Sequence, residues 1–195
     1  MSKTATAISL AVALLVTPVV VFSQTINVKE SISGTNLRIG TDLNGDGRGS
    51  ATLGMCYGKG TLGQYTCKTY GETFVVPIGL GGPCDPSWLY AELREVEPGT
   101  GNPSVFGHVQ EFKTGELLYW VPDWSKTSYY CFDTAPTGKL TLKQYLKYDG
   151  GTGRFRNASG TIEWNFEVDT RIDNYMWGVE GSVQGILNLD NPMRP

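Results

Sequence analysis

The sequence has a single histidine, no Cys-x-x-Cys pair and no Gly-x-Ser-x-Gly segment, and each absence removes a class of function. A Ser-His-Asp or Cys-His device would have to use His108, which no nucleophile elbow accompanies. The four cysteines are spaced 11, 17 and 47 residues apart, and this one imidazole would have to complete any zinc site. We therefore predict neither histidine-based catalysis nor structural zinc.

The chain also lacks a basic stripe, a charge run and any helical periodicity that lasts beyond two turns. Its 16 Lys and Arg residues are scattered among 19 Asp and Glu residues, which leaves a net charge of −3. Because no basic patch stands out, we expect no nucleic-acid partner. Because no second compositional block appears, we expect one domain, built mainly from strands.

The one long apolar run lies at the N-terminus. Lys3 precedes the apolar stretch of residues 7–22, and small residues allow cleavage before Gln24. We interpret residues 1–23 as a secretory signal peptide that is removed. The alternative is a transmembrane anchor, but the run contains Pro18 and is shorter than the ~20 residues that a bilayer core requires. We therefore predict a secreted or periplasmic protein without a stable membrane anchor.

The remaining chain has the pattern of short strands. Residues 162–168 (IEWNFEV) alternate between apolar and polar side chains, which is the period of two expected of a half-buried strand. Similar segments recur between Gly, Pro, Asn and Asp residues, and closure of the sheet would protect the edges of so many strands. We predict a single all-β domain over residues 24–190, a closed antiparallel β-barrel of about eight strands. Residues 191–195 should form a frayed tail.

Local patterns place individual elements within this domain. Ser33-Gly34 divides the first region into two short strands, and residues 113–115 form the turn of a hairpin. Residues 88–97 could form a short helix or a strand, and their alternation of apolar and polar side chains favours a strand. The glycines of residues 150–153 supply a tight connection between two strands. They are not a phosphate loop, because a strand rather than a helix follows them.

The four cysteines indicate two disulfides in an exported protein. Four cysteines allow three connectivities. Cys56 and Cys67 could face each other across a local hairpin centred on residues 60–62, which would leave Cys84 to pair with Cys131. We retain this pairing as one hypothesis among the three.

One segment resembles the start of a calcium loop. Asp42, Asn44 and Asp46 stand at alternate positions before a glycine, and their side-chain oxygens could converge on a hard cation. The twelfth position is Leu53 rather than a bidentate Glu, and no helices flank the loop. The alternative is a simple hairpin turn, which we favour. We expect no cofactor.

A group of aromatic residues is the main candidate for ligand binding. It comprises Trp88, Tyr90, Tyr119, Trp120, Trp124, Tyr129, Tyr130 and Phe132. Such rings could line a pocket for an apolar or sugar ligand, or they could simply fill the core. From this group and the alternating strand we select Trp120, Tyr130, Trp164 and Phe166 as candidate ligand-binding residues.

Two polar features carry less information. Asn157-Ala158-Ser159 is a glycosylation sequon, and Asn157 would carry glycan only in a host that modifies secreted proteins.

An acid/base pair for catalysis could come from two of the glutamates Glu92, Glu95, Glu111, Glu116, Glu163 and Glu167. No spacing among them selects two.

The segment GGTGRFRNASG, residues 150–160, resembles a motif of the allene oxide cyclase-like barrel superfamily, which includes the dirigent proteins. The matching residues are Gly150, Gly151, Thr152, Gly153, Phe155, Ala158 and Gly160. The resemblance implies an eight-stranded antiparallel barrel. It also implies a hydrophobic ligand held in a shaped cavity, as the cyclases and dirigent proteins do with their substrates. No catalytic residue of that superfamily can be matched to this sequence.

Three hypotheses of function follow. The first is a secreted, disulfide-stabilised barrel that binds a hydrophobic small molecule or partner without chemistry. The second is a cyclase- or dirigent-like enzyme that guides reaction of a hydrophobic substrate in the barrel, which a polar cluster of Glu, Tyr or Arg would favour. The third is a surface or interaction protein whose interior is packed solid. The sequence leaves the oligomeric state open.

Overall fold

A computed structural model describes residues 21–38, 50–96, 107–133, 139–169 and 176–192. Nearly all of these residues belong to ten strands and one short 3-10 turn, Gly153–Phe155. The strands are β1 Val21–Arg38, β2 Ser50–Gly60, β3 Gly63–Leu80, β4 Leu89–Val96, β5 Gly107–Phe112, β6 Leu117–Pro122, β7 Ser128–Phe132, β8 Lys139–Gly151, β9 Ser159–Asp169 and β10 Met176–Pro192. Within these ranges, no helix is long and apolar enough to cross a membrane.

Eight strands close into an antiparallel barrel, which confirms the predicted fold. Their order is β2-β1-β10-β9-β8-β6-β5-β3, and pairing of β3 with β2 closes the ring. The strands are staggered around the ring. If one starts at Asn36 on β1 and moves from each residue to its paired residue on the next strand, one returns to β1 at Ile26, ten residues away from the start. Closure requires such a stagger, and it tilts the strands against the barrel axis.

Two strands lie outside this ring because β3 and β8 are long enough to pair twice. Toward its N-terminal end β3 pairs with β5, and residues 72–80 of β3 pair with β4 instead. Similarly, residues 140–143 of β8 pair with β7, and residues 146–151 pair with β6. Strands β4 and β7 pair with each other, so the sheet forks between β3 and β8.

The core lies inside the barrel and follows the alternation of the strands. On β9, Ile162, Trp164, Phe166 and Val168 are all buried, as the sequence predicts. The largest fully buried side chains include Trp120 and Tyr65. Full burial of an aliphatic or phenylalanine side chain, such as Ile162 or Phe166, contributes about 1.5–3 kcal/mol.

The first strand corrects one prediction. Strand β1 continues through Ser33-Gly34, where the sequence predicts a break. Gly34 pairs with Val179 on one side and Cys56 on the other, and a Cβ there would lie 2.4 Å from the Met55 carbonyl oxygen. The glycine therefore allows close approach of the neighbouring strand instead of breaking the chain.

Strands β1 and β10 also extend past the domain limits drawn from the sequence. Val21 pairs with Pro192 and Phe22 with Asn191, so the ladder includes the last residues of the predicted leader and the first two of the predicted tail. Residues 1–20 and 193–195 lie outside the described part of the chain.

The glycine-rich segment after β8 plugs one end of the barrel. Gly150 and Gly153 adopt positive φ angles of 76° and 56°, which only glycine reaches without strain. The 3-10 turn then directs Phe155 inward, where its ring is 1% exposed and stacks on Phe112 with centroids 4.9 Å apart. The segment joins β8 to β9, as predicted, and its aromatic side chain closes the interior.

Both disulfides have the pairing favoured by the sequence. Cys56 and Cys67 lie opposite each other on β2 and β3, and their bond links the two strands of a hairpin. Cys84 is bonded to Cys131, which ties residues 81–88 to β7. We refer to residues 81–88 as the pinned loop. The protein is thus a disulfide-bonded β-barrel.

Candidate functional site

Three of the four candidate ligand-binding residues meet inside the barrel. The ring centroids of Trp120 and Trp164 lie 6.1 Å apart, edge to face, and those of Trp164 and Phe166 lie 4.5 Å apart. All three side chains are at most 5% exposed. Tyr130 is half-buried, and its ring packs beside Phe132. The aromatic rings therefore form part of the packed core, and Tyr130 lies at its edge.

A polar cluster that the sequence analysis missed lies in the same interior. It consists of Glu30 on β1, Tyr65 on β3, Gln110 on β5 and Tyr148 on β8. Each of these side chains is at most 4% exposed. Burial of polar groups costs free energy unless they form hydrogen bonds, so a cluster of this kind is a candidate functional site.

Glu30 is held beside the turn that joins β2 to β3. Its Oε1 accepts a hydrogen bond of 2.8 Å from the Leu62 backbone N–H. A Cβ on Gly60 would lie 2.5 Å from Oε2, so the glycine makes room for the carboxyl group. Burial raises the pKa of Glu30, and the Leu62 hydrogen bond opposes that shift. The carboxyl group is therefore easier to protonate than an exposed glutamate.

The two tyrosines are buried phenols close to this carboxyl group. Burial raises the pKa of Tyr65 and of Tyr148, and the charge of Glu30 raises both further. Both therefore stay protonated at physiological pH. The Tyr65 ring lies against Gly58, where a Cβ would be 2.1 Å from the ring. Each tyrosine can thus offer a hydroxyl donor to whatever binds beside Glu30.

The other polar residues of the interior support the aromatic rings. The Trp120 indole N–H donates to Gln110 Oε1 at 2.9 Å, and His108 Nδ1 lies 2.8 Å from the Thr69 hydroxyl. The His108 ring packs between Trp120 and Trp164 at 5.7 and 5.2 Å. Burial lowers the pKa of His108 to about 3, so the imidazole stays neutral. We assign it to the core.

Several polar atoms of this interior form no hydrogen bond with the described residues. They are Glu30 Oε2, Tyr148 Oη and the Trp164 indole nitrogen. The Gln110 amide nitrogen lies beside the Tyr65 hydroxyl and opposes its pKa shift, but the pair does not reach hydrogen-bond geometry. Buried polar atoms in folded proteins are normally satisfied by protein, water or ligand. These atoms are therefore the candidates in the interior for contact with a bound water or with the polar group of a ligand.

Other aromatic candidates lie on the outside of the barrel. Tyr129 alternates with Tyr130 on β7 and faces outward beside Lys143 of β8. With Trp88 and Tyr90 it lines a groove, the outer cleft, between the pinned loop and the outer faces of β7, β8 and β9. The sequence groups these rings with Trp120, and the structure separates them into two sites.

The remaining candidate sites have different outcomes. Asp42, Asn44 and Asp46 lie outside the described residues, so the calcium hypothesis stays a prediction. Among the residues that the structure describes, no three His, Cys, Asp or Glu side chains are placed to hold a metal ion. Asn157 is exposed in the turn before β9, and its amide nitrogen lies 3.4 Å from the Asp190 carbonyl oxygen.

The chain matches no protein-family model, and no curated protein matches its sequence. The resemblance to allene oxide cyclase-like barrels therefore stays an expectation from the sequence.

Proposed function

We propose that the protein is an extracytoplasmic barrel that binds a small amphipathic molecule in its interior without transforming it. The observation that carries this proposal is the set of buried polar atoms without a protein partner around Glu30 and Tyr148. A ligand hydroxyl, carbonyl or carboxylic acid group would satisfy them. The two disulfides agree with an oxidising compartment, where such bonds persist.

The rest of the interior suits an apolar ligand body. Along the buried face of β9, Phe166 and Val168 follow Trp164. Leu142 of β8 pairs with Phe166 and is buried as well. A ligand with a polar head at Glu30 would lie along these side chains. Eight-stranded barrels can enclose one small molecule in this way. The closed barrel also agrees with the superfamily resemblance, which we retain as part of the proposal.

The competing hypothesis is a solid interior. The stacked rings of Trp120, Trp164 and Phe166 support it, because a ligand would have to share their space. Ordered water at Glu30 would then satisfy the polar atoms. The two hypotheses differ in whether an organic molecule is retained by the purified protein.

Native mass spectrometry of the protein purified from culture medium tests the proposal. We expect a co-purifying organic molecule, lost on denaturation, and an intact mass that begins at Gln24. Glu30→Gln combined with Tyr148→Phe should reduce its occupancy about tenfold, because two of its hydrogen bonds change. Tyr70→Phe, at a position that is 52% exposed, is the matched control. Protein without any bound organic molecule would favour the solid interior.

A second candidate function is acid–base catalysis on the same ligand. The observation in its favour is the buried cluster of Glu30, Tyr65 and Tyr148, which is the kind of polar cluster that the enzyme hypothesis calls for. The raised pKa of Glu30 beside these hydroxyls suits a general acid or base. Conversion of the recovered ligand by fresh protein would establish it, provided that Glu30→Gln abolishes turnover and retains binding. Recovery of unchanged ligand supports simple binding.

A further inference from the structure

The outer cleft is independent of the barrel interior. It consists of two adjoining hollows of about 460 and 550 Å³ that share Pro83 and Tyr129. The first lies between the pinned loop and the strands β7, β8 and β9, and the second continues toward Tyr145 and Lys126. Nothing in the proposed function uses this surface.

The pinned loop gives the cleft a fixed rim. Its Cys84 is bonded to Cys131 of the underlying strand. Asp85 Oδ1 accepts hydrogen bonds from the Ser87 N–H at 2.9 Å and from the Ser87 hydroxyl at 2.6 Å, which closes a tight turn. At Gly82, with φ of 69°, the loop backbone lies directly against the Tyr90 ring. A rim ordered before binding loses little entropy when a ligand arrives.

The walls of the cleft are aromatic rings. The Tyr90 and Tyr129 ring centroids lie 5.9 Å apart, edge to face, and Trp88 lines the same hollow as Tyr129. Tyr145 continues the wall, with the Lys126 and Lys143 ammonium groups 5.1 and 5.3 Å from its ring centroid. The rings are half-buried, so each keeps part of its surface available to a ligand.

Lys143 and Asn165 line the cleft and belong to a hydrogen-bonded polar network, whose central residue Glu163 lies beside the cleft. Lys143 Nζ is 2.7 Å from Glu163 Oε1, and the same oxygen accepts hydrogen bonds from Asn165 at 3.1 Å and Gln184 at 3.2 Å. The hydrogen bond to Glu163 raises the pKa of Lys143. Asp85 and Lys126 add one further charge of each sign. The charges in and beside the cleft therefore balance.

We propose that the outer cleft binds a neutral saccharide. Aromatic faces stack on the apolar C–H faces of pyranose rings, and amide, carboxylate and ammonium groups bind the hydroxyls at the ring edge. The cleft holds both kinds of group side by side. A purely apolar ligand would desolvate Lys143 and Asn165, which line the cleft, without offering them a hydrogen bond. A strongly charged ligand would have to compete with the Lys143–Glu163 ion pair.

Titration calorimetry with hexasaccharides of β-linked glucose, xylose, mannose and N-acetylglucosamine tests this site. We expect at least one to bind the full-length secreted protein. Tyr129→Ala and Trp88→Ala should each weaken that binding about tenfold, because each removes a stacking surface. The control is Tyr57→Ala, at a more exposed ring on β2 (43% exposed) outside the cleft, which should bind normally. Glu30→Gln should also bind normally, which separates this site from the interior.

The outcomes that overturn the proposal are distinct. No heat from any of the four hexasaccharides would exclude a neutral saccharide site. Equal affinity in Tyr129→Ala, Trp88→Ala and the control would place the binding elsewhere. If Tyr129→Ala fails to fold, judged by its thermal unfolding, Asn165→Ala provides the second test, because it removes only an amide beside Glu163.

Discussion

The barrel interior and the outer cleft are built from the same residue types in opposite settings. Each combines tyrosine and tryptophan side chains with a glutamate, which lies inside the barrel in the first region and beside the cleft, bonded to Lys143 and Asn165, in the second. Glu30 is 4% exposed and receives one described hydrogen bond, from a backbone N–H. The Glu163 side chain is 28% exposed, and Lys143, Asn165 and Gln184 all bind its Oε1.

This difference in partners shifts the pKa values of the two carboxyl groups in opposite directions. Burial raises the pKa of Glu30. Partial burial also acts to raise the pKa of Glu163, but the hydrogen bonds from its three partners outweigh it and hold that pKa below the ordinary value. Two glutamates of one barrel thus have opposite electrostatic roles. One can bind or release a proton, and the other anchors a fixed ionic network.

The largest predicted effect is the loss of stability when each of the two disulfides is removed. Cys84→Ala with Cys131→Ala opens a 47-residue loop, and Cys56→Ala with Cys67→Ala opens one of 11 residues. The chain-entropy relation gives losses of about 4 and about 3 kcal/mol in the free energy of unfolding. Urea unfolding at neutral pH measures both. Saccharide binding should fall only in the first variant, because only that bond fixes the pinned loop.

Two results would contradict this prediction. A greater loss from the shorter loop would mean that the unfolded state retains structure around the other pair. Unchanged saccharide affinity in Cys84→Ala with Cys131→Ala would mean that the pinned loop does not shape the outer cleft.

The fold could be predicted because the sequence patterns that indicate it involve residues close together in the chain. The alternation of β9 and the turn between β2 and β3 each depend on neighbouring residues, and from them follow the barrel and the opposition of Cys56 and Cys67. The fork in the sheet could not be predicted, because it depends on which part of β3 meets β4 and which meets β5. The continuous β1 was missed because Gly34 indicates a break and a close approach equally well.

The candidate site was predicted only in part, and the reason lies in the faces of the strands. Tyr129 and Tyr130 are adjacent and point to opposite sides, so a cluster defined by sequence distance mixes inside with outside. Glu30 was missed although a pattern was present. It lies between Val28 and Ile32 on the apolar face of β1, and all three are buried. A single charge on such a face is the signal to seek in similar chains.

The second prediction concerns the pH dependence caused by Glu30. Because its folded-state pKa is raised above 4.5, the folded protein binds a proton more tightly than the unfolded chain. Stability from this group is therefore present at low pH and lost as the pH rises through the raised pKa. The Glu30→Gln variant has an uncharged side chain at this buried position. Its free energy of unfolding should therefore be about 1 kcal/mol higher than that of the wild type at neutral pH.

Urea unfolding between about pH 4 and pH 8 measures this difference. The gap between Glu30→Gln and the wild type should widen as the pH rises. A variant that is less stable at all pH values would show that the carboxylate has a partner that the amide cannot replace. A ligand that donates a hydrogen bond to Glu30 Oε2 would be such a partner, and removing it by refolding should restore the expected sign.

The smallest predicted effect comes from the same substitution in the outer cleft. Glu163→Gln removes a partly exposed ion pair and should cost about 0.2–1 kcal/mol at neutral pH. The folded-state pKa of Glu163 is lowered, so its contribution is present above the ordinary pKa and disappears as the pH falls through the lowered value. The free energies of unfolding of the wild type and Glu163→Gln should therefore converge in acid. Those of the wild type and Glu30→Gln should diverge toward neutral pH, with the opposite sign.

Salt should reduce the effect of Glu163→Gln on stability and leave the effect of Glu30→Gln nearly unchanged, because screening reaches the partly exposed ion pair far more than the buried carboxyl group. Equal salt sensitivity of the two variants would mean that Glu30 is as hydrated as Glu163, and the contrast between the two regions would fail.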